Sequence, residues 1–395
     1  MLSCTEYSII FLSIFLIIVV RAINYSPRAI LNVYQRPNGL FWVKTCFMYV
    51  VLLARKLKKK NSHIYLELEK PQTLSYHDLP IDGVYFNGAS SNGDHLVVGT
   101  ARRKNNLIDA FMYIKINASE FGLLETLKLP DTSLYQDETK EEWNVEGIKI
   151  TPVEAMKKWD VYYDGKMKDN KNTKYDVKLR ASWTTNLPIF NFDHDMDPWA
   201  MAKSMAYETW SKEYFKNLEE NHQTHYEQHG QLEGVVTVNG TDYKLDLNTV
   251  RDHSFGVKRE WRNFHRYGLH FFSAQNGDRF SVGMICMPIS FSRLTMGYVY
   301  SKEDDKIYPV SDCDLQLYQH GENAEPPKDY AFSFCAGGKK YTVQVNVVDC
   351  PYFYLSKDWE SKVVERLCKF KVNGVEGWGA AEWQYRNIQG RFVNK

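Results

Sequence analysis

The 395-residue sequence lacks an excess of charge of either sign, because 49 Lys and Arg residues stand against 48 Asp and Glu residues and leave a formal net charge of +1. A balanced charge creates no long-range field that would attract a polyanion such as a nucleic acid. The composition therefore predicts no nucleic-acid partner.

Local signatures of cofactor and metal chemistry are missing as well. The sequence has no Walker-type loop and no GxGxxG, GxSxG or HExxH motif, and its seven cysteines show no CxxC spacing. His222, His225 and His229 would share one face of a continuous helix, but nothing nearby in the sequence would support them as zinc ligands. We predict no cofactor and no metal, which leaves a binding protein or a cofactor-independent enzyme.

Long apolar runs are scarce, and the clearest one is residues 8–20 (SIIFLSIFLIIVV). No small-x-small cleavage site follows this run, so it predicts an uncleaved membrane anchor rather than a signal peptide. Residues 39–54 are apolar apart from Lys44 and precede the basic stretch RKLKKK, which is typical either of a helix in the headgroup region or of a second, marginal span. With one span, the basic residues after it place the main domain in the cytoplasm. The prediction is a single-pass protein of the endoplasmic reticulum or another endomembrane, with the membrane as a partner.

Beyond residue 60 the pattern changes to short strands separated by turn residues. Aromatic residues make up 14% of the chain, which favours sheets, and Asn-Gly pairs such as Asn239-Gly240 between two apolar runs are typical of tight hairpins. Residues 83–99 also resemble residues 267–283, each an aromatic strand, an Asn-Gly-Asp turn and an apolar strand. These features favour two antiparallel β-barrels or sandwiches built from a duplicated unit.

One interval breaks this strand pattern. Asp197 is placed to cap a helix that has Pro198 at its first position, and Gly230 is placed to end it. We therefore predict four segments. They are a membrane anchor with a basic segment (1–60), a first β-domain (61–195), a helical linker (196–230) and a second β-domain (231–395).

The stretch RDHSFG, residues 251–256, holds the most conspicuous polar residues. Strand alternation puts Arg251 and His253 on one face and Asp252 on the other. Asp252 and His253 are a candidate acid and base in an aromatic cavity, although neighbouring strand residues point apart. The alternative is a buried polar seam that only holds the fold together.

Two further positions carry polar groups in strand-like surroundings. Glu382 lies beside Trp378 and Trp383 in a glycine-rich strand, where it is either a proton donor with a raised pKa or the partner of an arginine. Arg102 ends the strand GTAR and either faces solvent or pairs with an inward carboxylate.

Several quoted stretches resemble a known family when taken in order: FNGASSNGDHLVVGTARRKN, MKKWDVYYDGKM, DPWAMAK, RDHSFGVKREW and GWGAAEWQYRN. Residues 75–390 resemble a lipocalin-like group that includes hydroxyneurosporene synthase, AttH and yeast survival-factor proteins. RDHSFG is the most specific part, although this group usually has Trp where the chain has Phe255. Similar insect sequences are labelled phosphoenolpyruvate-synthase-like, but the phosphotransferase signature is missing here, so that label carries no functional weight.

The resemblance implies a mainly β fold of two lipocalin-like β-barrels, joined here by the helical segment and preceded by a membrane helix. It also implies a hydrophobic ligand such as an isoprenoid, sterol or other lipid. The predicted function is membrane-tethered binding or transport of that ligand in a barrel cavity, and the alternative is a hydratase, isomerase or cyclase acting on a polyene. The catalytic candidates are Asp252, His253 and Glu382, and the ligand-binding candidates are Arg102, Arg251, Arg259, Trp261, His265, His270 and Trp378.

Overall fold

In the computed structural model, which describes residues 4–58, 65–136 and 142–393, the chain is mainly β with a small number of helices. The helices are α1 (Cys4–Asn24), α2 (Phe41–Lys58), α3 (Tyr65–Leu68), α4 (Pro198–Tyr207) and α5 (Lys212–Glu220). The strands up to residue 256 are β1 (Ile81–Ala89), β2 (His95–Arg102), β3 (Leu107–Lys115), β4 (Leu123–Thr126), β5 (Ser133–Tyr135), β6 (Trp143–Val145), β7 (Ile148–Glu154), β8 (Lys158–Lys168), β9 (Lys174–Thr184), β10 (Phe190–Asn191), β11 (Gln223–Val238) and β12 (Thr241–Gly256). The later strands are β13 (Arg266–Ala274), β14 (Arg279–Met287), β15 (Phe291–Ser301), β16 (Lys306–Cys313), β17 (Asp329–Ala336), β18 (Lys339–Asp349), β19 (Tyr352–Leu355), β20 (Ser361–Val372) and β21 (Val375–Arg386).

These strands form two closed antiparallel barrels of eight strands each. The first runs β11-β12-β1-β2-β3-β4-β8-β9 and closes because β9 pairs with β11. The second runs β18-β17-β16-β15-β14-β13-β21-β20 and closes because β20 pairs with β18. The prediction of two antiparallel barrels is confirmed.

The division between the barrels differs from the predicted boundaries. β11 and β12 belong to the first barrel, so the chain passes to the second barrel between residues 256 and 266 rather than at residue 231. The helices α4 and α5 end at Glu220, and β11 already begins at Gln223, within the predicted helical linker of residues 196–230. Helices α4 and α5 therefore lie between β10 and β11, two strands of the first sheet, and do not join two domains. Sixteen residue pairs between β11 and β12 hold residues 223–238 extended, and this pairing overrides their helical spacing.

Glycine turns set the hairpins, as the sequence predicts. Asn239 and Gly240 join β11 to β12 with φ angles of 49° and 84°, the left-handed conformation that a two-residue hairpin turn requires. The two similar segments are corresponding hairpins: β1–β2 turns at Gly93 and β13–β14 turns at Gly277, with φ angles of 97° and 96°. The internal resemblance therefore reflects one hairpin used once in each barrel.

Large side chains fill both barrel interiors. In the first barrel Trp159 and Trp183 are fully buried against Phe86. In the second, the ring of Phe272 stacks on Phe280 and on Phe370 at centroid distances of 4.5 and 4.2 Å. Aromatic rings at these spacings occupy the space that a lipid would need inside a barrel.

The barrels pack side by side through the outer faces of β1 and β12 on one and β13, β20 and β21 on the other. Phe111 of the first barrel stacks on Phe353 of the second with centroids 4.0 Å apart, and Trp261 and Tyr267 belong to the same buried cluster. This contact creates the region where polar residues of both barrels meet.

The N-terminal helices lie outside the barrels. α2 packs on α4 through Met48, Ala202 and Met205, whereas the aliphatic side chains of α1 from Ile14 to Val20 are mostly exposed. Among the described residues, no helix combines the length and the apolarity that a membrane span needs. The membrane anchor predicted from residues 8–20 stays a prediction.

Candidate functional site

A row of polar residues crosses the outer face of the first barrel. Strand register places Asp252 of β12 directly opposite Tyr85 of β1 on one side and Glu227 of β11 on the other. Directly opposed residues of antiparallel strands share a face, so these three side chains all project towards the second barrel.

A matching row lies on the second barrel. Glu382 of β21 is opposite Leu269 of β13 and Glu365 of β20. The two rows are in contact, because the Tyr85 hydroxyl donates a hydrogen bond to Glu365 Oε1 at 3.0 Å and Asn87 Nδ2 donates to the same oxygen at 3.0 Å. The meeting place of the two barrels therefore carries four acidic side chains in a largely apolar interface.

Asp252 differs from the other three acids because it has no hydrogen bond to hold its charge. Burial raises the pKa of Asp252 to about 7 from its ordinary value of 3.8, and the charges of Glu227 and Glu382 add to this rise. His225 and Arg259 lower its pKa through their charges, but none of these interactions within the described chain is a hydrogen bond to the Asp252 carboxyl. The side chain is partly exposed to the space between the barrels. Asp252 is therefore an isolated carboxyl group that is about half protonated near neutral pH.

His225 is held by another partner. Its Nε2 lies 3.1 Å from Glu227 Oε1. Burial lowers the pKa of His225, but the hydrogen bond that its ring donates to Glu227 and the charge of Asp252 outweigh burial and raise the pKa overall. The pair places a protonatable imidazole beside Asp252 without binding its carboxyl group.

Glu365 and Glu382 form a pair of carboxyl groups that shares a proton. Burial raises the pKa of both, and the charge of Glu382 raises the pKa of Glu365 further. Tyr267 donates a hydrogen bond to Glu382 Oε1, and this bond partly offsets the effect of burial on the pKa of Glu382. Two buried carboxyl groups that hydrogen-bond to each other cannot both ionise easily, so one proton stays with the pair.

Arg259 supplies the positive charge next to this group. Its Nε donates to Gln223 Oε1 at 2.6 Å, its Nη2 donates to Ser254 Oγ at 3.0 Å, and its guanidinium lies 5.4 Å from the Trp261 ring. Burial, followed by the charge of Arg103, lowers the pKa of Arg259 to about 10. Arg259 still carries its charge at neutral pH and offers a fixed cation to an anionic or oxygen-bearing ligand.

Aliphatic side chains border the acidic rows on the second barrel. Leu269, Ile285 and Leu294 lie on neighbouring strands and are only partly buried, although they pack against the interface clusters. An apolar wall beside a few polar groups is typical of a small-molecule site.

Three predicted site residues lie inside the first barrel instead. Arg251 Nη1 is 2.7 Å from Glu69 Oε1, and His253 Nε2 is 2.7 Å from Asp82 Oδ1. Arg102 also pairs with Asp82, at 2.7 Å. The strand alternation predicted for residues 251–253 is confirmed, and it separates His253 from Asp252. The polar-seam interpretation describes Arg251 and His253 best, and Arg102 follows the second of its two alternatives, an inward arginine paired with a carboxylate.

The remaining predicted residues divide between several places. His270 lies in the interior of the second barrel, 2.6 Å from the Tyr330 hydroxyl, and His265 lies 3.3 Å from Glu322. Trp378 precedes Glu382 by four residues on β21, so both side chains lie on the outer face of that strand. Arg259, Trp261, Trp378, Asp252 and Glu382 therefore lie on or beside the interface, whereas the two histidines do not.

The sequence analysis missed Glu227, Glu365, Tyr85 and Tyr267. A signal existed for Glu365, which follows two valines in VVERLCKF, whereas Glu227 stands in the mostly polar segment HYEQHG. A charged residue in a strand that is otherwise apolar is usually buried for a reason. However, the partners of Glu365, which are Tyr85 and Asn87, come from a strand far away in the sequence.

The acidic and histidine side chains at this interface suit proton transfer more than metal binding. Within the described residues, no group of three or more His, Cys, Asp or Glu side chains is arranged to hold a metal ion. His225 lies on strand β11, so its spacing from His229 no longer gives a helical face.

Comparison with known proteins provides the family. The model of a family of unknown function, DUF8627, matches residues 8–385. The chain belongs to the DUF8627 family. None of the curated proteins compared with it matches the sequence.

Solved structures share the two-barrel fold of this DUF8627 protein. A protein described as an AttH from Nitrosomonas europaea has a TM-score of 0.53 at 10% identity, over 82% of this chain and 97% of that one. Kievitone hydratase from Nectria haematococca has a TM-score of 0.50 at 12% identity, over 83% and 96% of the two chains. The predicted resemblance to AttH is confirmed at the level of the fold, whereas the resemblance to hydroxyneurosporene synthase and survival-factor proteins stays a prediction.

Proposed function

We propose that this DUF8627 protein is a cofactor-independent enzyme that binds an apolar, unsaturated small molecule between its two barrels and transfers a proton to it. The reaction class is hydration, isomerisation or cyclisation of a lipid such as an isoprenoid. The single observation that carries the proposal is Asp252, an isolated carboxyl group with a pKa of about 7 at the interface.

Asp252 has the properties that a general acid needs. A catalytic acid works best when its pKa is close to the working pH, and a carboxyl group without hydrogen-bond partners is free to approach a substrate atom. Protonation of a carbon–carbon double bond leaves a cation on the substrate. The carboxylates of Glu227 and Glu382 and the ring of Tyr85 lie where they would stabilise positive charge.

The fold is compatible with this chemistry. One of the proteins with the same fold is named a hydratase, which is a statement about that protein. For this chain the support comes from the arrangement of Asp252, and the shared fold adds only that two such barrels can accommodate an enzyme site.

A second candidate function is binding or transport of an apolar ligand without chemistry. It is favoured by the partly exposed aliphatic wall of Leu269, Ile285 and Leu294. Binding needs only this wall and a cation such as Arg259 to hold a polar head group. The anchor predicted from residues 8–20 would keep either activity at a membrane.

The test combines ligand binding with product analysis. Wild-type protein, Asp252→Asn and the control Asp246→Asn, an exposed position on the same strand, are incubated with farnesol, geranylgeraniol or linoleic acid in H2O and in D2O. Mass spectrometry then measures the bound ligand, the gain of one water and the uptake of deuterium. We expect Asp252→Asn to retain binding but to lose product formation by about 100-fold or more, as expected for loss of a general acid.

Each outcome decides between the candidates. Bound ligand without product in any of the three proteins supports the transport function and refutes the enzyme. Equal turnover by wild type and Asp252→Asn removes Asp252 from the mechanism. Absence of binding to all three probes contradicts an apolar site for this lipid class.

A further inference from the structure

Helix α2 has two apolar faces, and only one of them packs on the protein. On the inner side Phe41 and Met48 are 3% and 6% exposed, and Met48 belongs to one buried cluster with Ala202 and Met205 of α4. This contact fixes α2 along the surface of the helical part. Because its inner face is docked on α4, α2 does not leave the protein to cross a bilayer by itself.

The outer face of α2 consists of Trp42, Val43, Cys46, Phe47 and Val50. Four of these side chains are 60–65% exposed, and Cys46 is exposed as well. Their spacing of three to four residues gives one continuous stripe along the helix. A stripe of this kind, with a Trp and a Phe that are mostly exposed, is larger than the scattered apolar residues of an ordinary protein surface.

Charge at the end of the helix indicates what covers this stripe. Arg55 and Lys56 are exposed at the C-terminal end of α2, and the sequence continues with Lys58, Lys59 and Lys60. Basic residues next to an apolar helix face are attracted to anionic lipid headgroups. A second copy of the chain packed through the same stripe would offer no complementary charge, because α2 has no acidic residue.

We propose that the outer face of α2 lies in the headgroup region of an anionic bilayer, with the helix axis in the plane of the membrane. Trp and Phe side chains suit this depth because their rings are apolar while the surroundings remain partly hydrated. The docking surface is independent of the anchor predicted from residues 8–20 and of the proposed enzyme activity.

The position of α4 gives this surface a functional consequence. Met201 of α4 packs both against the α2 cluster and against the cluster that contains Leu269, Ile285 and Leu294. Docking through α2 therefore places the bilayer on one side of the packed helices α2 and α4, and the apolar wall between the barrels on the other. An apolar molecule dissolved in the bilayer would have these two helices to pass.

The test uses Cys46 and Cys350, which are exposed in the described part of the chain, as matched positions in the full-length protein. The environment-sensitive dye NBD is attached to Cys46 in a Cys4→Ser/Cys350→Ser variant, and to Cys350, which lies on the second barrel, in a Cys4→Ser/Cys46→Ser variant. Each protein is mixed with vesicles of phosphatidylcholine containing phosphatidylserine, or with pure phosphatidylcholine vesicles. Fluorescence and vesicle flotation are measured together.

We expect the Cys46 probe to brighten by about twofold or more and to shift to the blue on anionic vesicles, with a smaller change on neutral ones, as for a helix that inserts at the interface. The Cys350 probe should not change. Arg55→Glu/Lys56→Glu should reduce the response of Cys46 without affecting the fold measured by circular dichroism.

Two results would overturn the proposal. The first is flotation of the protein with an unchanged Cys46 probe, because attachment would then occur elsewhere. The second is a change of the Cys46 probe with protein concentration in the absence of vesicles, because the stripe would then bind a second copy of the chain.

Discussion

Replacing Asp252 by Asn is expected to remove a pH-dependent loss of stability. The folded-state pKa of about 7 lies above the ordinary value of 3.8, so the stability that protonated Asp252 provides is complete below about pH 4. It is lost as the pH rises through 7, because the folded protein must then bury a charge. The Asn side chain has a similar shape and does not ionise.

The size of the effect follows from the shift. A displacement of about 3 pKa units corresponds to an upper limit of about 4 kcal/mol, since each unit is worth 1.36 kcal/mol. About two thirds of this change in stability takes place between pH 5 and pH 7. The side chain of Asp252 also keeps some exposure to the space between the barrels, and this exposure screens its charge. We therefore expect Asp252→Asn to gain about 2 kcal/mol over wild type between pH 5 and pH 8.

Urea unfolding followed by circular dichroism at each pH measures the free energy of unfolding of both proteins. The Glu365–Glu382 pair titrates in both proteins and cancels in the difference between the two curves. The difference therefore reports Asp252 together with its effect on the pKa of His225, which the charge of Asp252 raises. Asp246→Asn serves as the control, because this exposed carboxyl group on the same strand should produce a curve parallel to that of wild type. A difference between Asp252→Asn and wild type that stays constant with pH would refute the raised pKa, and with it the proposed acid.

Two further changes test the surroundings of the site. Arg251→Met should destabilise the protein by about 3–5 kcal/mol in urea unfolding, because it leaves Glu69 as a buried charge without its cation. Ligand binding should stay unchanged. A loss of stability below about 1 kcal/mol would show that the pair is not desolvated. Glu365→Gln should reduce the fall in stability that follows as the pH rises above the ordinary glutamate pKa, by about 1 kcal/mol or more, because burial and the charge of Glu382 raise the pKa of Glu365 and the stability it provides is lost as the pH rises through that raised value. The same pH dependence in Glu365→Gln and wild type would contradict a shared proton.

The barrels were predictable because their turns carry local signals. Hairpins whose two strands are neighbours in sequence are marked by their turns, which are Asn239-Gly240, Asn92-Gly93-Asp94 and Asn276-Gly277-Asp278. The long-range contacts were not predictable, since β1 pairs with β12 across more than 150 residues. For the same reason β12 and residues 231–238 of β11 were predicted to belong to the second domain.

The candidate site was predictable in part. Asp252 and Glu382 stood out as acids in unusual sequence surroundings, but nothing in the sequence indicates that they would act from opposite barrels. Glu227 and Glu365 matter only because strand register puts them beside these two acids. His253 was misleading, because an adjacent residue in a strand is close in sequence yet faces the other side.

In strand β12, odd-numbered and even-numbered residues point to opposite sides of the barrel wall. Odd-numbered residues 251 and 253 fill the first barrel, and even-numbered 252 reaches the second. Adding one residue between the Asn239-Gly240 turn and Asp252 would exchange these roles, pushing the acid among tryptophan rings and turning the arginine outward. The side of the barrel wall on which Asp252 lies is thus decided by the number of residues between it and a turn a dozen positions away.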